Sequence, residues 1–428
     1  MSGTIVLVIA VMLQAGYTVY CLLGGSRRQT IKHSLRFGAL GVLSLLLLLQ
    51  VFEWGLRWGL LFAVLSVLSA ISLVEVLTKR AEKPLHKGRA VFKAVGGTLL
   101  FAVAALPAIV FPQYSSPVIT GDYAVATAQF TYVDETRPEA YSDTGENRSV
   151  NVALWYPEGV QGKFPLVVFS HGFCGIKNSN LSAFEQLAAN GYVVCSIDHP
   201  YHSYFTVDSN NKVTMVDSGY MREYADLGDD KQANLRLFQK WMDIRVSDLN
   251  FVIDSILDGK GDVYELVDDT KIGVFGHSLG GAAAMGVPRV RQDIGAVINI
   301  DAPMLCELTG VENGVYTVNA EPYPAPLLNI YSQYLYDNGI LTDDAEYFQN
   351  RLVSATAPAS FEVVFQGAQH MSLTDLSLVS PFLAGILDSG RKATIDRHYC
   401  LETLNGIILE FFDAYLKDGK PFTAAGTY

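Results

Sequence analysis

Apolar positions fall along this chain in two regimes. Up to residue 113 they form four long runs, Ile5 to Leu23, Phe37 to Phe52, Trp58 to Leu77 and Ala94 to Phe111. Each run approaches the ~17–25 residues that cross a hydrocarbon layer as helix. Beyond residue 113 the apolar residues gather instead into short, nearly continuous stretches: PLVVFSHG, GYVVCSIDHP, KIGVFGHSLGG, GAVINIDAP, APLLNIYSQ and FEVVFQGAQH. Unbroken β-branched runs of that length predict strands covered on both faces. Helical patterns separate them, such as LSAFEQLAANG with Gly191 as its stop and RVSDLNFVIDSILDG closed by Gly259. Strand alternating with helix predicts a doubly wound, mostly parallel α/β sheet. Ahead of it, YAVATAQFTYVDETRP and RSVNVALWYP alternate with period two and predict an antiparallel hairpin at the sheet edge.

The charges between the long runs predict how they are threaded. Arg27, Arg28, Lys32 and Arg36 follow the first run, and Lys79, Arg80, Lys83, Lys87, Arg89 and Lys93 follow the third. Between the second and third stands only Arg57, opposed by Glu53. By the positive-inside rule both basic segments are cytoplasmic, so the N-terminus and everything after Phe111 lie outside. The first run has neither a basic leader nor a small-residue cleavage site and reads as a retained span. Trp54 and Trp58 fit an interfacial aromatic belt, and Glu75 pairs most simply with Lys79, four residues on. Four spans with so little interior charge read as an anchor rather than an ion path.

Composition sharpens this division. Half of the 428 residues are hydrophobic, 17% are charged and the formal net charge is −12; the mean hydropathy of +0.23 is high for a chain living wholly in water. Residues 1–113 hold 11 Lys/Arg against 3 Asp/Glu, a balance of +8, which leaves −20 for residues 114–428. The expected organisation is a basic four-span anchor over 1–113 and an acidic extracytoplasmic domain over 114–428, joined through PQYSSPVITGD. No internal repeat or low-complexity tract interrupts either part. An acidic domain of this kind excludes nucleic acid as a partner. Cys174, Cys195, Cys306 and Cys400 would face an oxidising side, where four cysteines allow three pairings. Cys195, inside a buried strand, reads equally well as a free thiol.

In open α/β sheets, ligands bind beyond the carboxyl ends of the strands, and each short run ends in residues capable of chemistry. Gly276-His277-Ser278-Leu279-Gly280 follows the strand KIGVF and precedes a small-residue helix start. That is the strand-to-helix elbow that presents a serine nucleophile. Such a serine needs a base, held in turn by an acid, and here the chain order is Ser, acid, His. Only His370 and His398 follow Ser278; His370 directly follows the strand FEVVFQG, where a loop can hang it over the sheet, whereas His398 sits in the helical stretch DRHYCLETL. Asp301 ends the next strand after the elbow, a placement that Asp337, Asp343, Asp344 and Asp375 lack. The oxyanion donors would be the N–H groups of Leu279 and of Phe173, with His171 bracing the latter's loop. Asp198-His199-x-x-His202 has metal-like spacing without a third ligand cluster, so no metal and no other cofactor is expected.

With these residues in place, residues 120–428 resemble the platelet-activating factor acetylhydrolase family of α/β-hydrolases. The likeness runs through DETRPEAY, VNVALWYP, VVFSHGF, SIDHPYHS, GHSLGG, INIDAPM, QHMSLTD, SPFLAGIL and ILEFFDAYLKDG, in that order. It implies the α/β-hydrolase fold, nucleophile Ser278, acid Asp301, base His370 and oxyanion donors Phe173 and Leu279. It also implies a serine esterase acting on lipid esters, short-acyl or oxidised phospholipids first among them. The chain departs from the animal enzymes in its anchor, in DSNNKVTMVDSGYMREYADLGDDKQ and from Leu305 to Ser360. A similar triad and HGF loop occur in polyester and cutinase-like hydrolases. A peptidase or acyltransferase using the same triad, and a silent ligand sensor coupled to the membrane helices, remain as alternatives.

Overall fold

The computed structural model describes residues 2–24, 27–79, 86–341, 347–417 and 419–428. Arg80, Lys83, Asp343 and Asp344 therefore lie outside the described residues. Contacts divide the chain into two compact units, Met1–Ser115 with Leu378–Ile386, and Ser116–Ser377 with Leu387–Tyr428.

The first unit holds four helices long and apolar enough to cross a membrane: α1 (Ser2–Leu22), α2 (Arg28–Leu48), α3 (Leu56–Leu77) and α4 (Lys87–Val110). α2 and α4 start well before their apolar runs. Arg28, Lys32 and Arg36, and Lys87, Arg89 and Lys93, are helical rather than loop residues. Long basic side chains extend a span at little cost because their heads can reach water while their stems stay on the helix. Glu75 pairs across helices with Lys32 and not with Lys79. Arg36 donates to Ser72 Oγ at 3.2 Å, so polar contacts tie α2 to α3. Trp58 is also placed differently from a lipid-facing belt. It is buried and stacked on Phe52 at 4.1 Å within the bundle, while Trp54 is exposed.

In the second unit a nine-stranded sheet forms from β1 (Val125–Pro138), β2 (Asn147–Pro157), β3 (Phe164–Ser170), β4 (Val193–Asp198), β7 (Val267–His277), β8 (Ile294–Ile300), β11 (Leu327–Ser332), β12 (Ser360–Phe365) and β13 (Gly426–Thr427). Two small hairpins, β5 (Phe205–Val207) with β6 (Val213–Met215) and β9 (Leu308–Glu312) with β10 (Val315–Val318), stand apart from it. The sheet order is β1-β2-β4-β3-β7-β8-β11-β12-β13. β2 pairs antiparallel with both neighbours and all other pairs are parallel. This is the mostly parallel α/β-hydrolase arrangement with the antiparallel hairpin at its edge. The helices of this unit up to the strand-to-helix elbow are α5 (Leu181–Ala189), α6 (Ser218–Ala225), α7 (Lys231–Leu257), α8 (Asp262–Glu265) and α9 (Leu279–Val290). α7 begins at Lys231 because Asp230 caps it, accepting from the N–H groups of Gln232 and Ala233 at 3.0 Å. The central strands are buried but for Phe164 and Gly295, as their unbroken apolar runs predict.

Candidate functional site

β3, β7, β8 and β12 all end at the same edge of the sheet, and the residues that follow them meet there. β7 stops at His277, α9 starts at Leu279, and the turn between strand and helix is Ser278 alone, at φ 55° and ψ −129°. Such a left-handed serine is strained and persists only where its surroundings hold it. Two glycines allow the approach that does so. A Cβ on Gly276 would lie 2.3 Å from Gly280 backbone atoms, and one on Gly280 only 1.9 Å from Ser170 O. The Ser278 N–H donates to Ile300 O at 2.8 Å, which ties the turn to β8 and leaves the side chain partly exposed.

Asp301 follows β8, again with positive φ (52°), and is buried. One carboxylate oxygen, Oδ1, accepts from the Ser332 N–H at 2.6 Å. The other, Oδ2, accepts from Ser332 Oγ at 2.9 Å and lies 2.7 Å from His370 Nδ1. A carboxylate only accepts, so Nδ1 of His370 carries a proton, and in the neutral imidazole Nε2 is the nitrogen with the lone pair. The His370 loop is pinned from three sides. Gln369 N donates to Ser372 Oγ at 3.0 Å, Met371 N to Asp388 Oδ1 at 3.0 Å, and the rings of His277 and His370 lie 4.5 Å apart. His277 Nε2 is also 3.1 Å from His370 O. Burial, with His370 beside it, holds the His277 imidazole well below its ordinary pKa, so it meets that carbonyl as a neutral N–H donor. Among the described residues no hydrogen bond joins Ser278 Oγ to His370.

The loop after β3 packs directly on the elbow, since a Cβ on Gly172 would lie 3.1 Å from Ser278 Cβ. Neither Phe173 N–H nor Leu279 N–H donates to a protein acceptor among the described residues. The Phe173 ring stacks on Tyr224 at 4.0 Å and leans on Tyr220 at 5.0 Å, both on α6. Buried His171 donates from Nδ1 to Gly172 O at 2.7 Å, while its Nε2 lies 2.7 Å from Ser203 Oγ. Burial, and then the Arg245 guanidinium, keep this imidazole far below its ordinary pKa and so neutral.

The Asp198-His199-x-x-His202 segment belongs to the same buried network and not to a shared ligand set. Asp198 pairs with Lys177 at 2.7 Å. His199 lies 2.8 Å from Asp248 Oδ2 and 2.9 Å from Ser170 Oγ. His202 stacks on Tyr220 at 3.9 Å. Burial alone would raise the Asp248 pKa, but Arg148, at 2.6 and 3.1 Å, and His199 hold it far below the carboxylate range. Of the other acids weighed, Asp375 accepts from the Ser182 N–H and hydroxyl at 2.7 and 2.6 Å; burial raises its pKa to about 6. Asp337 sits in the turn Tyr336–Ile340, and His398 in the helix Arg397–Leu416. All five cysteines are free thiols; Cys195 is buried in β4. Sequence reasoning passes over Ser332, Arg245, Asp248 and Arg148. Ser332 alone left a signal, as a hydroxyl ending the strand beside the acid's strand; nothing in the sequence brings Arg148 to a helix 100 residues on.

Fold and edge geometry define an α/β-hydrolase. A ferulic acid esterase from Streptomyces cinnamoneus shares the fold, with a TM-score of 0.58 and 21% identity over 72% of this chain and 95% of its own. Residues 149–424 match the family "Platelet-activating factor acetylhydrolase, isoform II", and the chain belongs to that family. Curated relatives include the platelet-activating factor acetylhydrolases of Canis lupus familiaris, 24% identical over 277 residues, and of Bos taurus, 24% identical over 282. In each case the match covers 61% of this chain and 59% of the relative's length.

Proposed function

We propose that this protein is a membrane-tethered serine carboxylic ester hydrolase. Ser278 Oγ attacks the ester carbonyl as His370 Nε2 takes its proton. Asp301 holds the imidazole in the tautomer that allows this and stabilises the imidazolium that forms. The N–H groups of Phe173 and Leu279 receive the oxyanion. His370 returns the proton to the leaving alkoxide, and water activated by the same imidazole releases the acid from the acyl-enzyme. The supporting observation is the 2.7 Å contact between His370 Nδ1 and Asp301 Oδ2, together with a serine strained into the elbow conformation whose N–H bonds Ile300 O, the carbonyl just before Asp301.

Family membership, with an anchor over 1–113 and a hydrolase domain over 114–428, favours lipid esters, short-acyl or oxidised phospholipids first. Tethering raises the effective concentration of such substrates at the bilayer. The +8 balance of the anchor, concentrated in and just before the first turns of α2 and α4, supports a cytoplasmic position for those helix starts and an extracytoplasmic hydrolase. Ser278→Ala should abolish hydrolysis of p-nitrophenyl acetate and butyrate by the detergent-solubilised chain; retained turnover would sink the assignment. A series of phospholipids with sn-2 acyl groups of increasing length then reads the substrate class.

A further inference from the structure

Arg245 has no place in the chemistry above, yet it is a fully buried cation within hydrogen-bond reach of the loop that supplies Phe173. From α7 its guanidinium donates through Nη1 to His171 O and through Nη2 to Gly172 O at 3.3 Å. Its Nε lies 3.4 Å from His202 Nδ1. Among the described residues no carboxylate forms an ion pair with it. The nearest on its own helix, Asp248, spends its oxygens on Arg148, Arg137 and His199. Burying a charge without a counter-ion is costly, and neutral acceptors, here two carbonyl oxygens and an imidazole nitrogen, compensate it incompletely. A site that keeps such a charge has a use for it close by.

That use follows from peptide geometry. Every peptide bond among the described residues is trans, so the carbonyl of Gly172 and the N–H of Phe173 point in opposite directions from one rigid plane. Gly172 O accepts from Arg245 Nη2, from His171 Nδ1 at 2.7 Å and from Gly175 N at 3.1 Å. Three donors on the carbonyl fix the plane and thereby the aim of the Phe173 N–H, on a loop whose Gly172 abuts Ser278. Donors at the oxygen also polarise the amide, making its N–H a stronger donor. We infer that Arg245 is a positioning residue for the oxyanion hole, orienting and polarising the Gly172–Phe173 peptide so that its N–H and the charge behind it stabilise the tetrahedral intermediate. This role rests on the hydrolase reading.

The test must separate a loss of oxyanion stabilisation from a loss of folded protein. An alkyl boronic acid does so: Ser278 Oγ adds to boron, His370 takes the proton, and the adduct is a tetrahedral anion whose oxygen occupies the oxyanion position. Its inhibition constant is independent of the fraction of enzyme that is active. Arg245→Met should raise the butylboronic acid Ki and lower kcat by similar factors, on the order of 10²-fold as for loss of one oxyanion donor, with KM for p-nitrophenyl butyrate within about threefold of wild type. Arg245→Lys, which keeps the charge but not the fork that spans two carbonyls, should fold and lose about tenfold in both. A kcat loss with Ki unchanged, or no change in either quantity, overturns the inference; should Arg245→Met fail to fold, Arg245→Lys decides. If wild-type protein hydrolyses no ester, or Ser278→Ala matches it, the hydrolase reading falls and takes this role with it.

Discussion

Oδ2 of Asp301 faces two donors, the imidazole it orients and the Ser332 hydroxyl. The second bond keeps a buried carboxylate from swinging away from the imidazole. Ser332→Ala removes that bond and leaves the Ser332 N–H on Oδ1. A hydrogen bond to a charged group contributes ~1.5–3 kcal/mol, part of which water entering the space would return. The expected result is a fall of about tenfold in kcat for p-nitrophenyl butyrate with KM little changed; an unchanged kcat would show that His370 and the Ser332 N–H suffice to order Asp301. Ser278, Asp301 and His370 are legible in the sequence as candidates because each follows an apolar strand in an order that one fold dictates. Ser332 and Arg245 are not, since a residue that acts by touching another's backbone or carboxylate leaves no spacing rule behind it.

Elements followed their periodicity where burial was complete and departed from it where side chains other than apolar ones set the boundary. β3, β4, β7 and β8 lie where continuous runs of Val, Ile and Phe predict them. α7 begins fourteen residues before the pattern RVSDLNFVIDSILDG, at a cap. α2 and α4 begin among basic residues that a hydropathy reading assigns to loops. The hairpins β5–β6 and β9–β10 are short and half-exposed, and alternation over so few residues carries no readable period. The junction of α9 with the sheet shows what a legible motif means physically. Gly280 is required not for its φ but because Ser170 O occupies the place of a Cβ. Gly280→Ala should therefore push α9 off β3, at the upper end of the ~1–3 kcal/mol that overpacking costs, and displace the Leu279 N–H with it. Urea denaturation should show the lost stability, and fluorophosphonate labelling of Ser278 should slow; wild-type behaviour in both would mean that helix and strand separate without cost.

At the scale of the whole molecule, the averages of composition conceal two bodies, one basic and apolar, the other carrying −20. For the acidic body two effects of acidification oppose each other. Protonating surface carboxylates relieves self-repulsion and favours the compact state, but exposed charges at physiological ionic strength are screened within ~8 Å. Against this stand four buried imidazoles, His171, His199, His202 and His277, all held below their ordinary pKa chiefly by burial. For His199 the value is pushed down from 6.5 to about 4. Between those limits the unfolded chain binds a proton that the native one refuses, so stability rises with pH through the window and falls on acidification. Each such group contributes up to ~1.4 kcal/mol per pH unit. Asp248 adds to the loss only at still lower pH, because its depressed pKa keeps its stabilisation intact until pH drops below the ordinary carboxylate range. Buried groups acting together outweigh screened surface repulsion. The urea midpoint of the detergent-solubilised chain, followed by the fluorescence of buried Trp155 and Trp241, should therefore fall between pH 7 and pH 5. A midpoint that held or rose over that interval would mean that these imidazoles are charged in the native state and that the network around Arg245 is arranged for cations.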